Sequence, residues 1–172
     1  MDGRFQRDLV ALVPQLRRFA YALTGSRDAG DDLVQSGCER ALTNVGRFQA
    51  GTRLDSWMYR IIQNLWLDDR RRAQVRGTTV DPDMVAISDG GLGARRAEDR
   101  MTLEQVRLLV ADLPEEQRLV LALVAIEGRS YREVAEMLDL PIGTVMSRLS
   151  RARARLMPVL GETPEGGRRW TQ

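Results

Sequence analysis

The side chains available for chemistry are few in kind. The 172-residue chain has no histidine and one cysteine, Cys38. Histidine acid–base catalysis and Ser–His–Asp chemistry are therefore excluded. A lone cysteine makes neither an internal disulfide nor a Cys/His metal site. Carboxylates remain, in adjacent pairs at Asp31-Asp32 and Asp68-Asp69. Neighbours on a helix diverge by about 100°, so neither pair converges on one metal ion or one proton. No catalytic residue, metal ligand or cofactor is expected, and the chain is expected not to be an enzyme.

The basic residues are more informative. All 26 are Arg, although the net charge is only +2. A guanidinium is a planar fork that matches phosphates and guanine edges. GC-rich coding also favours Arg, so distribution matters more than number. Arg148, Arg151, Arg153 and Arg155 fall within residues 140–160, which hold no acid, whereas residues 112–139 hold most acids of the C-terminal half. Such segregation suits a DNA-reading element beside a solvated support.

Helices are needed to position these residues, and the apolar periodicity supplies them. Leu9, Leu12, Val13, Leu16, Phe19, Ala20 and Leu23 predict a helix over 8–23, stopped at Gly25. A second is predicted over 28–45, with a stripe of Val34, Cys38, Ala41, Leu42 and Val45. Cys38 is thereby a packing residue rather than a redox centre. Asp32, Gln35, Ser36, Glu39 and Thr43 lie on the other side of that helix. A third helix, over 56–72, groups Trp57, Met58, Ile61, Ile62 and Leu65 on one arc and leaves Tyr59, Arg60, Gln63 and Asn64 outside it; Trp57 is expected in the core.

Periodicity fades over 73–97, where Gly77, Pro82, Gly90, Gly91 and Gly93 suggest a flexible linker. An amphipathic helix is predicted over 101–113. Pro114-Glu115-Glu116 opens another that stops at Gly128. Ser130 and Glu133 form a capping box for a short helix to 138, and a turn at 139–141 leads into a last helix to about 156. Short helix, brief turn and Arg-bearing helix make a helix-turn-helix. With Val145 at zero, Leu149, Ala152 and Leu156 lie within about 40° of it and form the packing stripe. Ser147, Ser150, Arg151 and Ala154 face away. Arg148 and Arg155 occupy one flank, Met146 and Arg153 the other.

The fold class expected is all-α: an N-terminal helical bundle (1–73), a flexible linker (74–97), a C-terminal helix-turn-helix domain (98–160) and a tail (161–172). No run nears the roughly 18 apolar residues of a membrane helix, and no apolar run follows Met1-Asp2-Gly3-Arg4, so a cytoplasmic protein is expected.

Several segments together resemble extracytoplasmic-function sigma factors. In the second half these are Leu113-Pro114-Glu115-Glu116-Gln117-Arg118, then residues 127–135, then Pro141-Ile142-Gly143-Thr144-Val145-Met146-Ser147-Arg148-Leu149 and onward to Arg153. In the first half they are Asp31-Asp32-Leu33-Val34-Gln35, Arg47-Phe48 and Trp57-Met58-Tyr59-Arg60-Ile61-Ile62-Gln63-Asn64. The resemblance implies a subunit that binds core RNA polymerase and directs it to promoter DNA. Asp32, Gln35 and Glu39 would contact the polymerase. Tyr59, Arg60, Gln63 and Asn64 would hold the melted downstream (−10) strand, Tyr59 by stacking on bases. Thr144, Met146, Ser147, Arg148, Ser150, Arg151, Arg153 and Arg155 would meet the upstream (−35) element in the major groove. Ser36-Gly37-Cys38 and Met146 depart from the usual pattern, the latter implying an altered upstream consensus. The stretch from Leu16 to Gln35 is similar to the general-stress sigma factors of alphaproteobacteria, which implies an anti-sigma partner. The alternative is a stand-alone helix-turn-helix regulator, which would require a sensor or dimerisation module in place of the first domain.

Overall fold

A computed structural model describes residues 3–49, 51, 53–76, 106 and 108–160, the last three by backbone alone. The expected linker from residue 77 onward and the tail from 161 lie outside the described residues. Every regular element among those described is helical.

Helix α1 spans Gly3–Thr24 and runs through Pro14. It buries Leu9, Leu16, Phe19, Ala20 and Leu23 at the predicted spacing. Gly25 ends it with φ +72°, a backbone conformation that costs glycine little. Helix α2 spans Arg27–Thr43, with Ser26 capping its first turn by accepting from the Ala29 N–H. It stops two residues earlier than expected because the chain tightens into a short 3-10 turn over Val45–Arg47. Helix α3 spans Leu54–Val75, longer than predicted at both ends.

Two glycines decide how closely these helices pack. A Cβ at Gly30 would sit 3.1 Å from the Tyr21 backbone nitrogen, and one at Gly37 would sit 3.0 Å from Ile62 Cγ1. Gly37, a departure from the usual sequence pattern, therefore lets α2 approach α3. Gly30→Ala gains up to about 1 kcal/mol of helix propensity. Overpacking against an unyielding backbone costs about 1–3 kcal/mol, so a net loss is expected. Urea denaturation reads this directly, and a raised midpoint would show that the α1–α2 contact has slack.

Trp57 is partly buried and packs with Phe5 and Phe48 in an aromatic trio, with centroids 6.3 and 5.3 Å away. Cys38 lies part-buried against the core, and burial, then the neighbouring Glu39, raises its thiol pKa. A protonated, packed thiol accords with the packing role.

In the second half, residues 108–111 are helical and lead to Pro114. Helix α4, Glu115–Leu121, widens into a π turn over Ala122–Ile126, where the Glu127 N–H reaches the Ala122 carbonyl. Gly128, at φ +63°, then reverses the chain. Helix α5, Tyr131–Leu138, has both arms of the predicted capping box: Ser130 Oγ accepts from the Glu133 N–H and Glu133 accepts from the Ser130 N–H. Asp139 caps its C-terminus in the left-handed region at φ 53°. Helix α6, Ile142–Leu160, completes the helix-turn-helix.

The predicted stripe is the packed one. Val145, Leu149, Ala152 and Leu156 are all buried. One buried cluster runs through both halves, from Leu9, Leu16 and Phe19 to Leu119, Val120, Leu123, Val134 and Val145. The two helical units thus share a continuous apolar interface, which periodicity within single helices does not predict.

Candidate nucleic-acid interface

The three groups of residues predicted to act together lie apart in the structure, two on open surfaces and one partly between the units. Asp32, Gln35 and Glu39 are all exposed on α2, one turn apart, and Gln35 Nε2 donates to Glu39 Oε1 at 3.0 Å. Asp32 also borders a cleft of about 340 Å³ between the units, lined by Leu23, Leu33, Trp66, Arg70 and Arg118 among others.

On α6, Ser150, Arg151 and Arg155 are exposed, while Thr144, Ser147, Arg148 and Arg153 are partly so. Among the described residues no acid pairs with Arg151, Arg153 or Arg155. Arg148 is different. Its guanidinium contacts Glu116 of α4 at 2.7 Å, and its side chain is only 19% exposed. The acid-free stretch around Arg148 gives no sign of this partner: the folded chain brings Glu116, remote in sequence, beside the flank of α6. Ser147 Oγ is also engaged, donating to the Thr144 carbonyl at 3.0 Å. Met146 is 52% exposed, a large apolar side chain on the open face.

The third group is the surprise. Tyr59, expected outside the packed arc of α3, is 1% exposed. The second unit covers that face. Phe19 meets the Tyr59 ring edge-on at 4.9 Å, and the Arg129 guanidinium lies over the ring at 5.3 Å. The Tyr59 hydroxyl donates to Glu127 at 2.7 Å, and burial, then Glu127, raises its pKa so that it stays protonated. Arg60 donates to the carbonyls of Glu136 and Met137 at 3.2 and 3.3 Å. Gln63 is partly buried and Asn64 is exposed. A base cannot stack on Tyr59 while the units are apposed.

The charges around Tyr59 form one network across the units. Arg129 contacts Asp55 at 2.7 Å, and Arg53 contacts Asp55 at 2.8 Å and Glu133 at 2.6 Å. Arg18 approaches Glu127, whose side chain is 2% exposed, at 3.6 Å. Sequence reasoning missed Asp55, Glu127 and Arg129. The one usable signal was the Glu127-Gly128-Arg129 turn, whose role depends on what faces it.

Two carboxylates in this network titrate low. Burial pulls Asp55 upward, but hydrogen bonds from Arg53 and the Ser56 N–H, with Arg129, outweigh it and hold it at about 2. The Ser130 N–H and hydroxyl, followed by Arg53, hold Glu133 at about 2. Both lie below their ordinary values of 3.8 and 4.5, so their contribution is complete above that range and is lost as pH falls toward 2. Apposition of the units is expected to be insensitive to pH near neutrality and to loosen across this acid window. Small-angle scattering during acid titration tests this; loosening between pH 6 and 8 would contradict it.

Known proteins fit this layout. Residues 103–156 match the "Sigma-70, region 4" family, and residues 9–63 match the "Sigma2 domain of PhyR" family. The ECF RNA polymerase sigma factor EcfG of Rhodopseudomonas palustris is 37% identical over 155 residues, covering 89% of this chain and 83% of the relative. The chain belongs to the ECF RNA polymerase sigma factors. SigM of Mycobacterium tuberculosis, another ECF sigma factor, is 35% identical, covering 86% of this chain and 72% of its own. Among solved structures, the sigma factor RpoE of Bartonella quintana, in complex with the anti-sigma factor NepR, superposes with TM-score 0.75 at 30% identity, covering 92% and 97% of the two chains. CnrH, in complex with the cytosolic domain of CnrY, superposes with TM-score 0.65 at 26% identity, covering 91% and 89%. As an ECF sigma factor the chain directs promoter recognition with RNA polymerase. The stand-alone regulator is not favoured. The similarities to EcfG, to RpoE and to the PhyR domain are consistent with the alphaproteobacterial general-stress subgroup. No described helix is long and apolar enough to cross a membrane.

Proposed function

We propose that this ECF sigma factor reads the upstream element with α6 and holds the downstream strand with α3, after its two units separate. The observation that carries the first part is α6 itself: its stripe of Val145, Leu149, Ala152 and Leu156 is buried, while Ser150, Arg151 and Arg155 are left to solvent. Arg151 faces away from the stripe and is the proposed base reader. Arg155 suits phosphate, as does Arg148 once it is released from Glu116, and Thr144, Met146, Ser147, Ser150 and Arg153 complete the surface. Losing one bidentate guanine contact costs about 1–3 kcal/mol and relaxes one position of the consensus. Losing one phosphate contact weakens all sequences alike and lowers the salt slope by about one unit. Run-off transcription from promoters randomised upstream, comparing wild type with Arg151→Ala, tests the assignment. An unchanged preference would move base reading to another residue.

Tyr59, Arg60, Gln63 and Asn64 are assigned to the downstream strand. Because Tyr59 and Arg60 are engaged by the second unit, that assignment requires an open state. Asp32, Gln35 and Glu39 are assigned to polymerase docking. Asp32→Ala with Gln35→Ala should weaken core binding while changing stability by less than about 0.5 kcal/mol, because both are surface residues. Unchanged core affinity in a binding titration would remove the assignment.

The unit boundaries proposed are 1–73, 74–97, 98–160 and 161–172, with the last turn of α3 overrunning the first to Val75. The protein acts in the cytoplasm without catalytic activity of its own. An anti-sigma factor is the proposed inhibitor, supported by the complexes in which RpoE and CnrH were solved.

A further inference from the structure

The start of α6 presents an apolar pair that the interior does not use. Ile142 is 49% exposed and Met146 is 52% exposed. They are four residues apart, so they stand one above the other on the same side of the helix. Beside them Gly143 is exposed, and a Cβ built there would meet nothing within 4 Å. Packing within the protein therefore does not require glycine at that position. A glycine in the first turn, flanked by two protruding apolar side chains, lets another molecule approach the backbone closely.

The charges next to this patch indicate that molecule. Arg153, on the same flank as Met146, and Arg151, on the face turned away from the packing stripe, follow this patch along the helix, with no acid pairing either among the described residues. A basic face with an apolar tip suits a polyanion that also carries apolar groups. In the major groove one base offers such a group: thymine, through its C5-methyl. Recognition helices place their N-terminal residues against base edges, which is where Ile142 and Met146 lie.

We propose that Met146, supported by Ile142, reads thymine methyl groups in the upstream element, so that part of the promoter specificity is apolar rather than hydrogen-bonded. This rests on the assignment of α6 as the upstream reader.

The test uses holoenzyme formed from the full chain and core polymerase, on a promoter mapped by run-off transcription. Each upstream thymine is replaced singly by deoxyuridine, which pairs identically but lacks the methyl. Burying one methyl is worth about fourfold in affinity. Wild-type holoenzyme should lose about fourfold at one or two positions, and Met146→Ala should bind the thymine and deoxyuridine promoters equally at one of them. Indifference of the wild type to every replacement overturns methyl reading; if Arg151→Ala still alters upstream preference, the α6 assignment stands without it. Loss of all upstream sequence dependence, with no effect of Arg151→Ala, overturns both. If Met146→Ala weakens holoenzyme assembly yet keeps the thymine preference, the pair faces protein and the proposal fails.

Discussion

Arg118→Met is expected to lower stability by about 2–4 kcal/mol. Arg118 is 4% exposed and joins the two units. Its guanidinium donates to the Leu23 carbonyl at 2.9 Å, to Leu113 at 3.1 Å, and to Ala111, and it lies 5.7 Å from the Trp66 ring centroid. Leu23 and Trp66 belong to the first unit, Ala111 and Leu113 to the second. Methionine fills the aliphatic stem but leaves three carbonyls without their donor, at about 1–3 kcal/mol for each buried group. Removing the charge returns part of that loss, because burial, with Arg70 nearby, already lowers the Arg118 pKa to about 10. Guanidinium denaturation measures the difference. A midpoint within error of wild type would mean that solvent replaces the guanidinium without cost. Arg118→Lys should recover only part of the loss, since one ammonium lacks the fork that spans three carbonyls.

Arg129→Ala should open the molecule, weakening apposition of the units by about 2 kcal/mol. Its side chain is 12% exposed, contacts Asp55 at 2.7 Å and covers Tyr59. Without it, Asp55 keeps Arg53, but Tyr59 loses the cation over its ring. The buried network is also incompletely satisfied, since Glu127 Oε1 and Arg129 Nε have no hydrogen-bond partner among the described residues. Such groups make the closed state costlier than its contacts alone suggest, which suits the proposal that the units separate. Small-angle scattering should report a larger radius of gyration for Arg129→Ala, and amide exchange in α3 around Tyr59 should quicken. An unchanged radius together with unchanged protection would show that the apolar interface alone holds the units together. Core polymerase should bind the variant at least as tightly as wild type, because α2, the proposed docking surface, is untouched.

Local signals settled a good deal. The stripe of α1, the Ser130–Glu133 capping box, the Gly25 and Gly128 stops and the buried face of α6 each depend on residues within a few positions of one another. Backbone geometry and amphipathic spacing act at that range, so the residues themselves dictate the result. The exposed face of α2 followed in the same way, because assigning Val34 and Ala41 to the core leaves Asp32, Gln35 and Glu39 outside.

Contacts between elements far apart in sequence were decided otherwise. Periodicity on α3 placed Tyr59 outside its arc, and taken alone that helix has no reason to bury a phenol. The phenol is buried because Glu127 and Arg129, 68 and 70 residues further on, arrive with a hydrogen-bond acceptor and a cation. Arg148 likewise had no acid near it in sequence and acquired Glu116 only when α4 packed beside α6. The π turn after α4, in a run of uniformly apolar residues, carries no local mark; it leads into Glu127 and Arg129, which meet the first unit. The sequence by itself determined which helices form and most of the apolar stripe each one buries, because those depend on spacing along one backbone. Only the tertiary structure decided which charges pair and that, of the residues proposed for the downstream strand, Tyr59 is covered and Arg60 engaged by the second unit, because an ion pair is chosen by distance in space, and that distance exists only once the units have met.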